Sequence, residues 1–280
     1  MKKYLKIILV LIAVVFTSCT DVVDVDVPTA EPRLVIEASI NWEKGTDGSE
    51  QTIKLSTSTP YFDTTTNTSV TGASVIITND NDQTEFIFDD QNNGLYTTNS
   101  FVPELNQSYT LEVVYNGETY TAQETLTSVT DIIEINQSTE GGFDDEALEV
   151  NYVFKDPEDE ENYYLIKFQR EGDLLPELED YSDEFINGNT IEYFFEYTDE
   201  EDDKREFTEG DIVHFELYGT SKGYYNFIKI LIEQSVDTGN PFSTTPAPLR
   251  GNCINLTTPD NYAFGYFRLS QVVKATYTFQ

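Results

Sequence analysis

The side chains best able to do chemistry here are carboxylates, one histidine and two cysteines. Acidic residues cluster twice: Asp156, Glu158, Asp159, Glu160 and Glu161, and then Asp199, Glu200, Glu201, Asp202 and Asp203. Hard cations take carboxylate and carbonyl oxygens, so Asp156, Glu158, Asp159, Asp199, Asp202 and Asp203 are calcium candidates. Neither cluster has the alternating ligands and central glycine of an EF-hand loop, and the bland alternative is a solvated acidic loop. His214 is the lone histidine. It lies in IVHFELYG, where it shares a strand face with Glu216. One histidine cannot build a multi-histidine zinc site, and no nucleophile-elbow motif accompanies it. Cys253 has Arg250 nearby in sequence, weak support for a lowered thiol pKa, so a buried structural cysteine is the expectation. A glycosidase needs only two carboxylates and a cleft, but no segment singles out such a pair.

The wider charge balance narrows the partners. The 280 residues include 51 acids and 16 bases, a net charge of −35. Without Lys2, Lys3 and Lys6 the remainder carries 13 bases against 51 acids, a net −38. Nucleic-acid binding and docking on anionic headgroups both require clustered Lys and Arg, so neither is expected. The segment 140–211 holds 27 of the acids with five bases. Aromatic residues make up 13% of the chain, far too many for an acidic disordered polymer. The chain is therefore expected to fold, and no cofactor is implied beyond the calcium candidates.

The first residues read MKKYLKIILVLIAVVFTSC. Three lysines precede an apolar run, Ile7 to Phe16, too short to span a bilayer but suited to a signal peptide. Thr17-Ser18-Cys19 resembles a lipobox, with Phe16 where Leu is usual. We expect a signal over 1–18, lipidation of Cys19 and an acidic tether over 19–31. Two or three acyl chains would anchor the protein to a membrane without threading it through. Acylation of Cys19 would leave Cys253 without a disulfide partner. Asp63-Thr64-Thr65 is a loose match to an O-glycosylation acceptor at Thr64.

The elements that must position these groups are mainly strands. Segments rich in Val, Ile, Thr, Tyr and Phe alternate and end at Gly, Asn, Asp or Pro, the pattern of an antiparallel β protein. Expected strands are 34–40, 52–56, 74–78, 85–89, 94–97, 109–115 and 118–126, an immunoglobulin-like β-sandwich over 32–128. Asn116-Gly117 is a strong two-residue hairpin signal. A second antiparallel β domain over 129–280 is expected from strands 132–136, 149–154, 163–169, 190–197, 212–219, 263–270 and 272–279. It carries one amphipathic helix at 221–236, opened by Ser221 and packed on a sheet.

Several short motifs, in order, resemble one family of Bacteroidota outer-membrane lipoproteins known only as domain of unknown function 4249. They are Leu34-Val35-Ile36-Glu37-Ala38, Ile53-Lys54-Leu55, Gly72-Ala73-Ser74-Val75, Gly94-Leu95-Tyr96 and Ser108-Tyr109-Thr110-Leu111. In the second half come Asp156-Pro157, Asn162-Tyr163-Tyr164 and Tyr224-Tyr225-Asn226-Phe227. The C-terminal block is Gly239-Asn240-Pro241-Phe242, Pro246-Ala247-Pro248-Leu249, Gly251-Asn252-Cys253-Ile254-Asn255 and Phe264-Gly265-Tyr266-Phe267. Cys253 departs from the apolar residue expected there. The motifs read as turns and close packing and mark no catalytic site. The resemblance implies a non-catalytic surface lipoprotein that accompanies a TonB-dependent transporter or similar outer-membrane barrel. Competing readings are a free-standing binding module for glycan, peptide or calcium, a hydrolase, and an acidic surface that reflects a saline habitat.

Overall fold

The structure, a computed structural model, describes residues 30–60, 63, 65–142, 147–158, 160–184, 187–197, 205–236 and 249–280. Cys19, Thr64, Asp159, Asp199, Asp202 and Asp203 lie outside the described residues, as do the motifs at 239–242 and 246–248. Residues 32–59 and 65–280 form one unit. The other, 1–31 with 60–64, has few described residues; in it Asp63 N–H donates to Pro60 O at 2.9 Å.

Alternation builds the first half. Its strands are β1 Leu34–Glu43, β2 Gln51–Thr57, β3 Ser74–Asn79, β4 Glu85–Asp90, β5 Leu95–Thr98, β6 Ser108–Tyr115 and β7 Glu118–Thr125. Every second side chain turns inward, for example Ile36, Ala38 and Ile40 in β1 and Tyr109, Leu111 and Val113 in β6. β4 changes partner along its length. Glu85–Phe88 pair with β3, and Asp89–Asp90 pair with β5. This corner curls the sheet, so β1, β2 and β5 share one apolar cluster with β3, β6 and β7, and a sandwich closes. The β6–β7 turn uses Asn116 (φ 52°) and Gly117 (φ 80°), the paired positive φ values that the dipeptide predicts.

The second half contains β8 Ile132–Ser138, β9 Glu149–Lys155, β10 Tyr163–Arg170, β11 Glu177–Ser182, β12 Thr190–Glu196 and β13 Ile212–Thr220. Helix α1 (Lys222–Val236), β14 (Ile254–Asn255) and β15 (Phe264–Thr278) follow. β12, β9 and β8 form a separate sheet, and the other strands run in the order β11-β10-β13-β15-β1-β2-β5-β4-β3-β6-β7-β14. Inward residues of β9 and β12 meet those of β10 and β13 in a second, aromatic core. The opposite face of β10 and β13 gives Leu165 and Tyr218 to α1, where Tyr224 and Ile228 cover them. Both faces are thus buried, which is why Tyr163–Ile166 does not alternate.

Two expectations need correction. The strands expected at 263–270 and 272–279 are one strand, β15. It pairs parallel with β1 from Phe264 to Val272 and antiparallel with β13 from Val272 to Thr278. The division at 128/129 is also not maintained to the C-terminus. β14 pairs with β7, and Phe267, Leu269, Cys253 and Ala263 join the first core. The physical reason is long-range parallel pairing, which leaves no local turn signal. Close approach fixes this return: a Cβ on Gly251 would lie 1.3 Å from Gly265 O.

Candidate functional site

One end of the aromatic core carries the densest set of buried acidic oxygens. Three connections build it: the loop after β9, the chain leaving β11, and the turn before β12. Asp156 follows β9 and is fully buried, and Asp183 follows β11 and is 1% exposed. Tyr164 Oη donates to Asp156 Oδ1 at 2.7 Å, and Gly188 N–H donates to Oδ2 at 3.0 Å. Asp156 N–H donates to Asn189 O at 3.0 Å, locking the pre-β12 turn over the carboxylate. Asp183 N–H donates to Asn162 O at 3.2 Å. Its carboxylate stands against that of Asp156, and its Oδ2 is buried with no hydrogen-bond partner.

The electrostatics follow from this crowding. Burial first, and then the Asp156 carboxylate, push Asp183 above the ordinary carboxylate range. Burial and both carboxylates push the Tyr181 hydroxyl up, and burial and Asp156 do the same to Tyr164. The buried Asn162, with its amide assigned by the hydrogen-bond network, donates its side-chain nitrogen to Asp156 Oδ1 and Glu160 O, 3.3 Å from each.

Of the predicted calcium candidates, Asp156 therefore belongs to a built cluster. Glu158 is exposed and lies across Gly188, where an added Cβ would come within 2.3 Å of Glu158 Cγ. Among the described residues no three His, Cys, Asp or Glu side chains converge on one point. The cluster has two carboxylates, and what faces Asp156 besides Asp183 is a set of donors from Tyr164, Gly188 and Asn162. Sequence reasoning missed Asp183 and Asn162 as members. Asp183 lies 27 positions from Asp156, and β11, which delivers it, reads ELEDYS, half-buried throughout with no apolar face.

The other candidates are placed elsewhere. His214 is exposed, with Nδ1 3.1 Å from Thr276 Oγ1, while Glu216 takes Lys167 Nζ at 3.1 Å and the Tyr218 hydroxyl. Cys253 is buried, and burial pushes its thiol up to about 12, opposite to the shift a thiolate nucleophile needs. Arg250 stacks on Tyr262 at 3.9 Å. An open groove of about 780 Å³ crosses β2, β4 and β5, lined by Glu50, Glu85 and Asp89 with the exposed Ile87. Its acids lie on an open wall, whereas a glycosidase pair faces a substrate across a cleft. The Asp156–Asp183 pair is too deeply buried to do so.

The sequence matches the family described as Domain of unknown function (DUF4249) over residues 20–276. The chain belongs to the DUF4249 family. This agrees with the ordered motifs from Leu34 to Phe267, and the family is an uncharacterised one. No curated protein matches this DUF4249 chain. Among solved structures, a two-domain fibronectin type-III segment of chicken tenascin shares 9% identity, covering 69% of this chain and 89% of that one, with a TM-score of 0.22. The chicken CNTN1 FN1–FN3 domains share 9% identity over 66% of this chain and 62% of theirs, TM-score 0.26. A DUF4785 family protein of Legionella pneumophila shares 10% over 66% and 52%, TM-score 0.24. Among the described residues of the DUF4249 chain, no helix is long and apolar enough to cross a membrane.

Proposed function

We propose that this DUF4249 protein is a non-catalytic lipoprotein of the bacterial outer membrane. Lipid on Cys19 holds it at the cell surface, as in a Bacteroidota lipoprotein, and it accompanies a TonB-dependent transporter or a similar barrel complex. The observation that carries this reading is the N-terminal segment: three lysines, a ten-residue apolar run and Thr17-Ser18-Cys19. The protein's excess of negative charge supports a protein partner over an anionic membrane face. Against a basic partner it would speed and orient encounter more than tighten it.

The test has two parts. Metabolic labelling with a radioactive fatty acid should label the wild-type protein and leave Cys19→Ala unlabelled. A C-terminally tagged protein, solubilised from outer membranes in mild detergent, should then co-elute with a stoichiometric barrel protein. Failure to label sinks the anchor. Elution alone across several detergents and growth conditions sinks the transporter partnership.

A further inference from the structure

We propose that the Leu174–Leu175 tip of the β10–β11 hairpin docks into an apolar pocket rimmed by lysine and arginine on a protein partner. The inference rests on the reading above, in which the chain accompanies an outer-membrane barrel complex, and it names the surface that engages that complex. Leu174 is 92% exposed and Leu175 75%, and neither belongs to any of the apolar cores. Single exposed leucines are ordinary on a protein surface, but two adjacent ones at a hairpin tip make one contiguous apolar contact. The connection that carries them is fastened at its base. Glu171 N–H donates to Ile212 O at 2.8 Å, and Asp173 N–H donates to Arg170 O at 3.1 Å. Gln169 Nε2 donates to Asp173 O at 2.9 Å, and Tyr197 Oη donates to Asp173 Oδ2 at 3.4 Å. On the far side of the tip, Glu177 pairs with Phe168, and Pro176 disfavours helical backbone at Leu175. The leucines are therefore presented on a pinned loop, which lowers the ordering entropy that opposes binding.

Charge and position select the occupant. Glu171, Asp173 and Glu177 flank the leucines. The nearby bases are engaged within the chain: Arg170 donates to the carbonyls of Arg205 and Glu206, and Arg205 pairs with Asp211. A bilayer would accept the leucines, but its anionic headgroups would repel the flanking carboxylates. A second copy related by a two-fold axis would bring the same carboxylates face to face. An apolar pocket with a basic rim matches both parts of the tip. Position agrees with this. β15 runs from Phe264, close to where the chain enters β1, to Thr278, which pairs with Ile212 beside the tip. About 45 Å of strand thus separates the entry of the chain from the leucines. The tip lies at the end of the sheet remote from the strand that follows the anchor segment.

The test uses full-length tagged protein in its own cells. The photo-crosslinking residue benzoylphenylalanine replaces Leu175 or, as a control, the exposed Asn81 of the β3–β4 turn. Light should join position 175, and not position 81, to the barrel protein that co-elutes with wild type in mild detergent. Leu174→Ser combined with Leu175→Ser should weaken that association on the order of a hundredfold, the worth of two buried leucines. Its melting temperature should be unchanged, because neither side chain packs inward. Glu171→Lys should weaken the association more at low salt than at high salt. If the serine pair melts lower than wild type, the crosslinking pattern decides. Co-elution that survives the serine pair overturns the tip and leaves the barrel partnership standing, as do crosslinks from position 175 to lipid or to a second copy alone. Wild-type protein that elutes alone and crosslinks to nothing at position 175 overturns both.

Discussion

The two cores of this molecule close the same kind of sandwich with different side chains. The first is built mainly of aliphatic residues on strictly alternating strands, Ile36, Ile40, Ile53, Leu55, Val75 and Ile77 among them. The second stacks rings: Phe168 lies 4.2 Å from Phe195, and Phe207 lies 4.5 Å from Phe279. Among the described residues the buried charged ones, Glu149, Asp156, Arg170, Asp183 and Arg268, all come from the second half of the chain. Among the described residues of the first half, the buried polar side chains, Gln51 and Asn79, are neutral. Area alone stabilises the first core. The second also depends on pairing every buried charge, so its stability should respond to pH, ions and single polar substitutions.

The largest effect should come from the aromatic stack. Phe168 is fully buried among Phe195, Phe215, Tyr197 and Phe207. Phe168→Ala should cost about 4 kcal/mol, and Ile53→Val in the first core about 1 kcal/mol. Urea denaturation followed by fluorescence and circular dichroism checks both. Because β15 contributes to both cores, each variant should unfold in one transition at all probes. Two separated transitions in Phe168→Ala would show that the cores fold independently despite their common strand.

The next effect isolates one buried charge. Arg170 lies 4.8 Å from the Tyr197 ring and 4.6 Å from Phe207. It donates to the carbonyls of Arg205 at 2.6 Å and Glu206 at 3.2 Å, with Asp211 3.9 Å away. Arg170→Met keeps the packed stem and removes the donors, leaving those carbonyls without them. The expected cost is about 2–3 kcal/mol. Arg170→Lys should recover less than half, because an ammonium can donate to the carbonyls but cannot lie flat on the Tyr197 and Phe207 rings. Full recovery with Lys would reduce the contact to simple charge.

Legibility in the sequence follows the same division. Strands whose apolar residues alternate, β1 through β7, stand within a few residues of their expected bounds, as does α1 behind Ser221, whose Oγ accepts from Tyr224 N–H at 3.1 Å. β11 was not legible, because ELEDYS is half-buried throughout and has no apolar face to mark it. β14 was not, since two residues carry no period. Joining β15 to β1 requires a parallel pairing some 230 residues apart, as Val35 with Phe264, and no local signal encodes it. For the acid cluster, Asp156 was visible as one of a run of carboxylates. Its partner Asp183 was not, because what distinguishes it is burial beside Asp156, a property of the fold.

The smallest effect opposes the two halves in sign. Asp80, in the first half, is raised by partial burial, but bonds from Ser108, Thr110 and Gln123 outweigh this and hold its pKa below the ordinary value. Its contribution is present above the unfolded carboxylate pKa of about 4 and is lost as pH falls through the lower folded value. Asp183 runs the other way. Burial and Asp156 raise it, so the folded state keeps its proton at a pH where the unfolded chain has lost it. Its favourable contribution is complete below about pH 4 and disappears as pH rises through the folded value. In EDTA at pH 7, Asp80→Asn should therefore destabilise by about 1 kcal/mol, the loss shrinking in acid below pH 4. Asp183→Asn should stabilise by a similar amount at pH 7, since its amide can donate to Asp156, and the gain should shrink toward pH 4. Melting curves from pH 3 to 8 read both slopes. Parallel slopes for the two variants would remove the contrast between a satisfied carboxylate and a crowded one.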